Sequence, residues 1–174
     1  IEKQICAGMS TEDIDNITTK YLKEHDASSA DYQYQGYPKS ICTSVNDEIC
    51  HGIPSKKVIL KEGDIINVDA TTCYHGYYAD ASRMFMIGNV SDEAKRLVEA
   101  TKECLIKGIE SIKPFQSTIG DIGKAIEEYA TSQGYSVVRE FCGHGVGLAM
   151  HEDPYIYHYH THTPTCVLVP GMVI

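Results

Sequence analysis

Asp69 closes the apolar run Ile65-Ile66-Asn67-Val68, and Asp80 follows eleven positions later within Tyr78-Ala79-Asp80-Ala81-Ser82. An acid at the end of an apolar strand is costly to bury unless it is paired or bound to a cation. If the chain turns back between them as a hairpin, the two acids can lie side by side, where carboxylates repel each other unless a cation separates them. Aspartate oxygens suit a divalent metal ion, and one carboxylate can bridge two ions. The competing reading is that each acid caps a turn or solvates a strand end, as Asp commonly does.

His144 stands in Phe141-Cys142-Gly143-His144-Gly145-Val146-Gly147, and His151 follows in Met150-His151-Glu152-Asp153-Pro154. This spacing is too long for the i,i+4 histidine pair of a helical HExxH zinc site, so the two imidazoles have different jobs. A lone histidine is most often structural. Glycines on both sides let a ligand approach the backbone closely, which favours a site role for His144. Cys50 beside His51 suggests a thiol nucleophile, but no accompanying Asn or Asp pattern supports it, and packing explains it better.

These residues need elements to hold them. Ser10 as N-cap and Asp13 at the capping-box position predict a helix from Thr11 to Glu24, with Ile14, Ile17 and Tyr21 on an apolar inner face. The β-branched segments Ser40 to Val45, Asp64 to Thr71 and Ala79 to Ile87 read as strands, with His75-Gly76 turning the last two into a hairpin. A helix from Ser91, with Leu97, Leu105, Ile109 and Ile112 on its buried side, is stopped by Pro114. A helix from Thr118 to Gln133 with Gly134 as C-cap, then a strand from Tyr135 to Glu140, complete an α+β pattern. Ser10-Thr11, Asp13-Ile14 and Tyr21 parallel Ser117-Thr118, Asp121-Ile122 and Tyr129. Either the chain is duplicated or capped amphipathic helices simply resemble one another.

The 174 residues are 43% hydrophobic and suit one domain with a sizeable core. A net charge of -9 and a pI near 5.3, without runs of Lys or Arg, argue against a nucleic-acid groove or an anionic membrane surface. No apolar stretch is long enough to span a bilayer, and no signal peptide opens the chain. Seven cysteines without a CxxC pair suggest neither a disulfide framework nor a zinc knuckle; a reducing cytoplasm and mostly buried thiols are expected. Tyr157-His158-Tyr159-His160-Thr161-His162 alternates histidines, and reads as a surface strand or loop rather than a chelator.

The blocks Tyr37 to Cys42, Val45 to Pro54, Asp64 to Asp69 and Cys142 to Pro154 resemble, in order, the signature blocks of type I methionine aminopeptidases. The resemblance runs from Ile5 to Met172. It implies a pita-bread fold, a curved antiparallel sheet flanked by helices with a pseudo-two-fold repeat, forming a single catalytic domain over 1–174. It implies removal of the N-terminal methionine from nascent proteins by a cytoplasmic monomer with two divalent ions (Co, Mn, Fe or Zn), and an association with ribosomes. Asp69, Asp80 and His144 would be three of five metal ligands, with Asp80 bridging. His51 and His151 would contact substrate and serve catalysis. Tyr34, Tyr37, Cys42 and Met150 would line the methionine pocket, although Met150 stands where an aromatic residue is common. The other two ligands are expected beyond Ile174, leaving this segment weak or inactive alone, and Ile1-Glu2-Lys3 reads as a helix entered midway. A proline-specific peptidase or creatinase-like hydrolase of the same fold shares the Asp, Asp, His order, and a non-catalytic binding relative is the other alternative. The blocks Cys50 to Pro54 and His151 to Pro154 favour the methionine enzyme.

Overall fold

The computed structural model describes residues 1–161 and 166–174; His162, the last histidine of the alternating run, lies outside the described residues. The element order is α1 (Thr11–Glu24), β1 (Ala27–Ser29), a single 3-10 turn (Tyr34–Gly36), β2 (Cys42–Val45), β3 (Ile65–Tyr74), β4 (Tyr77–Met86), α2 (Asp92–Glu110), α3 (Ile119–Ser132), β5 (Gly143–Gly145) and β6 (Glu152–Ile156). The chain divides into two compact units, one of residues 1–95 with 148–150 and one of residues 96–147 with 151–174.

In the first unit, β3 is the spine of an antiparallel sheet. It pairs β4 along its full ten residues, β2 at one end and β1 at the other. The β3–β4 connection is a two-residue turn in which His75 and Gly76 both take positive φ, 50° and 85°. That matches the type I′ geometry whose twist suits a hairpin. The core of this unit packs Ile14 of α1 against Ile41, Leu60, Ile66, Val68 and Ile87, and each fully buried aliphatic side chain stabilises by about 1.5–3 kcal/mol.

Helix α1 starts as the sequence predicts: the Asp13 carboxylate accepts from the Ser10 N–H at 2.8 Å, and the Asp13 N–H donates to Ser10 Oγ at 3.2 Å. Its inner face is more polar than expected. Thr11, Ile14, Asp15, Thr18 and Leu22 are buried, whereas Tyr21 is exposed and stacks on His25. The buried polar groups have work to do. Asp15 Oδ1 accepts from the Ser40 N–H at 2.8 Å, Thr19 donates to Ser40 Oγ, and Ser29 Oγ donates to the Ser40 carbonyl at 2.7 Å. The segment entering β2 is thereby tied to both α1 and β1.

The second unit repeats this device. The Asp121 carboxylate accepts from the Thr118 N–H at 2.7 Å. An isolated bridge joins Thr118 to Val167, as one joins Ser10 to Ile59. Thr118, Asp121, Ile122, Val167 and Leu168 follow Ser10, Asp13, Ile14, Ile59 and Leu60 at one constant offset, and Ile122 and Leu168 sit in the second core as Ile14 and Leu60 sit in the first. The parallel between the two helix starts thus extends to backbone pairing far along the chain.

Two expected features of the second unit differ. The buried positions of α2 are Ala100 and Gly108, while Leu97, Leu105 and Ile109 are exposed. Gly108 lies within a methyl's reach of Ile122 and Ile126, so the helix turns its small side toward α3. Tyr135 to Glu140 forms no strand, because it has no ladder partner among the described residues; Gly143–Gly145 is itself a strand, paired with β6. Among the described residues no helix is long and apolar enough to cross a membrane.

Candidate metal and substrate site

The β3–β4 register decides how the two predicted acids meet. Asp69 pairs directly with Ser82, and Asp80 pairs with Thr71, two residues along β3 from Asp69. Directly paired residues and those two apart share a face, so both carboxylates lie on one face as diagonal neighbours, within reach of each other. The Ser82 hydroxyl donates to Asn67 Oδ1 at 2.9 Å and accepts from Asn67 Nδ2 at 2.8 Å, so its hydrogen bonds go to Asn67. Asp69 Oδ1 is buried and has no hydrogen-bond partner. Burial, then the charges of Asp80 and Asp31, push Asp69 up to about 7. A buried carboxylate oxygen left unsatisfied beside further acids is what an absent cation would explain.

Cys42 of β2 pairs with Asp69 from the other side, on the same face. It is buried, and burial above all pushes its thiol up to about 11, so it acts as an apolar wall rather than a nucleophile. Cys50 is also raised, first by burial and then by Asp69 and Glu48, opposite to what a reactive thiol requires. All seven cysteines are free, but only Cys42 is buried; Cys6 and Cys166 are exposed and the rest intermediate. The expectation of mostly buried thiols is corrected, since most of these positions lie on loops or on half-covered element faces.

Tyr37 bridges two backbone segments: its hydroxyl lies 3.0 Å from the Ile41 carbonyl and 3.0 Å from the Gly52 carbonyl. Those carbonyls precede Cys42 and follow His51. Gly52 is held further by Thr43 N–H to its carbonyl and by its own N–H to Ser44 Oγ. Next to it His51 takes φ 57°, a left-handed conformation rare for a residue with a Cβ. The surrounding anchors fix that unusual backbone and thus the direction of an exposed imidazole. Tyr34 opens the 3-10 turn and is exposed. Met150 lies in the bend that precedes β6.

In the second unit, β5 and β6 bring His144 and His151 together, with ring centroids 4.4 Å apart. His144 Nδ1 is 2.9 Å from the Gly145 carbonyl. A carbonyl only accepts, so Nδ1 is the donor here; in the neutral ring that leaves the lone pair on Nε2, the arrangement of a metal-ligating imidazole. Gly145 has no alternative, since a Cβ there would run into the Asp153 carbonyl. Among the described residues, no three His, Cys, Asp or Glu side chains converge closely enough to hold a metal ion. Within the first unit, the Asp69–Asp80 pair with its unsatisfied oxygen offers oxygen donors to a cation, and within the second, His144 offers a ring nitrogen.

The family model for metallopeptidase family M24 matches residues 1–174. The chain belongs to metallopeptidase family M24. Among M24 relatives, it is 49% identical over 166 residues to methionine aminopeptidase A of Synechocystis, covering 95% of this chain and 65% of that protein. It is 42% identical over 173 residues to methionine aminopeptidase of Escherichia coli K12, covering 99% of this chain and 65% of that protein. The chain thus spans about two thirds of these relatives, slightly less than 67% of their length. The crystal structure of methionine aminopeptidase from Rickettsia prowazekii matches with a TM-score of 0.94 at 41% identity, over 99% of this chain and 68% of that one. The prolidase of Pyrococcus furiosus, at 23% identity and a TM-score of 0.78, shares the fold. The M24 pita-bread fold, expected from the signature blocks, is the fold of this chain.

One acid close to the Asp69–Asp80 pair was missed in the sequence. Asp31 Oδ2 accepts from the Thr71 N–H at 3.1 Å, and burial and then Asp80 raise its carboxyl, against the lowering effects of that bond and of His51. In Ala30-Asp31-Tyr32 it reads as an ordinary loop residue; only the folded register reveals it.

Proposed function

We propose that the polypeptide is a methionine aminopeptidase, hydrolysing the first peptide bond of chains that begin with methionine. The observation that supports this most is the Asp69–Asp80 pair, two acids on one sheet face with a buried, unsatisfied oxygen between an apolar thiol and further acids.

On this reading Asp69, Asp80 and His144 would be among the residues that hold two divalent ions, within one catalytic domain over 1–174. Such ions acidify a water molecule and polarise the scissile carbonyl. The remaining work belongs to side chains. Tyr34, Tyr37, Cys42 and Met150 enclose the methionine side chain, with the Cys42 thiol kept neutral by burial. His51, fixed by its anchored neighbour Gly52, positions the residue after the methionine. His151 donates toward the oxygen on which charge develops. A metal among Co, Mn, Fe and Zn, a monomeric state, a cytoplasmic location and encounter with substrate near the ribosome belong to the same proposal.

Comparing hydrolysis of Met-Ala-type peptides with X-Pro dipeptides by the full natural polypeptide tests it. Turnover of methionyl peptides is expected. Cleavage confined to X-Pro bonds would transfer the chain to the proline-specific branch, and absence of any turnover with metal supplied would favour the binding relative.

A further inference from the structure

On the aminopeptidase reading above, from which this role follows, we propose that Asp15 of α1 is a positioning residue. It holds the segment carrying Tyr37 and Cys42, and so sets how closely the pocket fits a methionine side chain. Asp15 touches neither metal nor substrate residues; it acts through the backbone. It is 6% exposed, on the helix face that packs into the core beside Ile14. A carboxylate in such a place is costly unless it is bonded. Oδ1 accepts from the Ser40 N–H at 2.8 Å, and Oδ2 lies 4.0 Å from Lys39 Nζ, itself 3.2 Å from Glu12 Oε1.

Ser40 is tied at every polar group. Besides its N–H, its hydroxyl accepts from Thr19 at 2.9 Å and its carbonyl accepts from Ser29 Oγ at 2.7 Å. One residue on, the Ile41 carbonyl lies 3.0 Å from the Tyr37 hydroxyl, which is also 3.0 Å from the Gly52 carbonyl beside His51. Two residues on, Cys42 pairs with Asp69. The bond to Asp15 thus fixes the point from which Tyr37, Cys42 and the His51 loop are hung.

The second unit shows that the helix itself does not require this acid. At the constant offset relating the two helix starts, Asp15 corresponds to Gly123. Helix α3 forms with the same capping box and no carboxylate at that position, where a Cβ would meet the carbonyls of Tyr157 and Tyr159. What Asp15 adds to the repeated helix start is its hold on Ser40.

The test compares kcat/KM for Met-Ala-type and Leu-Ala-type peptides in the metal-loaded full natural polypeptide and in its Asp15→Ala, Asp15→Asn and Ile14→Val variants. Alanine leaves the Ser40 N–H buried and unpaired, whereas asparagine keeps an oxygen for it. Asp15→Ala is expected to lower the Met-over-Leu ratio by about tenfold, since a small misplacement of a pocket wall is felt in binding. The loss should appear as a higher KM for the methionyl peptide, with kcat within about threefold and metal affinity unchanged. Asp15→Asn should bring the ratio back to within about threefold of the unmodified protein. Ile14→Val trims the core contact of the neighbouring residue and lowers stability, but should leave the ratio unaltered. An unaltered ratio in Asp15→Ala, an equal fall in Ile14→Val, or failure of Asn to restore the ratio overturns the proposal. If Asp15→Ala does not fold, Ser29→Ala removes the donor to the Ser40 carbonyl instead; a fall of about threefold is expected, and an unaltered ratio overturns the proposal. An unmodified protein that hydrolyses no methionyl peptide defeats the aminopeptidase reading, and this role with it; an active one whose ratio is indifferent to Asp15 defeats this role alone.

Discussion

Asp80 lies across the β3–β4 ladder from Thr71, one same-face position from the Ser82 that faces Asp69, so the two acids meet on a diagonal. On this face Asp69 Oδ1 is buried without a hydrogen-bond partner. Charge at this point is costly without a counter-ion.

Metal binding to the full natural polypeptide should be coupled to protons through Asp69. Its carboxyl is raised to about 7, mainly by burial, so below that pH a metal must displace a proton. Affinity is expected to climb with pH up to about 7 and then to flatten. Calorimetry in buffers of different ionisation enthalpy should detect the released proton at pH 6, and Asp69→Asn should abolish it.

The same shift sets the stability of the metal-free protein. A carboxyl raised in the folded state contributes most below its unfolded value near 3.8 and loses that contribution as pH rises through about 7. Asp69→Asn should therefore stabilise the metal-free protein at pH 8, by on the order of 2 kcal/mol, and change little at pH 4. Urea unfolding at the two pH values measures it; a stabilisation equal at both would contradict the assigned burial.

His144→Ala in the full natural polypeptide should lose tight binding of at least one ion and reduce kcat by a hundredfold or more, on the order expected for removal of a ligand. Retention of two ions with full turnover would remove His144 from the ligand set.

Gly52→Ala should destabilise the first unit, since the new methyl meets the Thr43 carbonyl oxygen and the Glu48 carboxylate. A cost of about 2 kcal/mol or more is expected from overpacking against backbone. Because the adjoining His51 holds a left-handed φ, methionyl-peptide KM should rise in the same variant. Unchanged melting and KM would show that the loop relaxes freely.

Much of this was legible in the chain. Ser10 and Asp13 announced α1, the His75-Gly76 pair announced the hairpin, and the β-branched run Ile65 to Val68 placed Asp69 on a strand. These signals are local: a cap, a turn, a β-branched run. What stayed hidden depends on contacts distant in sequence. Asp31 looks like a loop residue until the chain beyond β1 lays its carboxylate on the Thr71 N–H, and the apolar side of α2 pointed the wrong way because Gly108, not Leu105, meets Ile122 and Ile126. Tyr135 to Glu140 has strand composition but no partner strand among the described residues, and composition alone does not make a ladder.

The two-residue turn at His75-Gly76 carries a constraint on descent as well as on shape. Side chains alternate between faces with a period of two, so one residue inserted there and absorbed by sliding β4 would invert every β4 side chain relative to Asp69. Asp80 would then point away from its partner although neither acid had been replaced. Across lineages that retain the chemistry, the length of this turn should be as closely guarded as the acids themselves, and a gap in an alignment at this point would mark lost activity as surely as a missing aspartate.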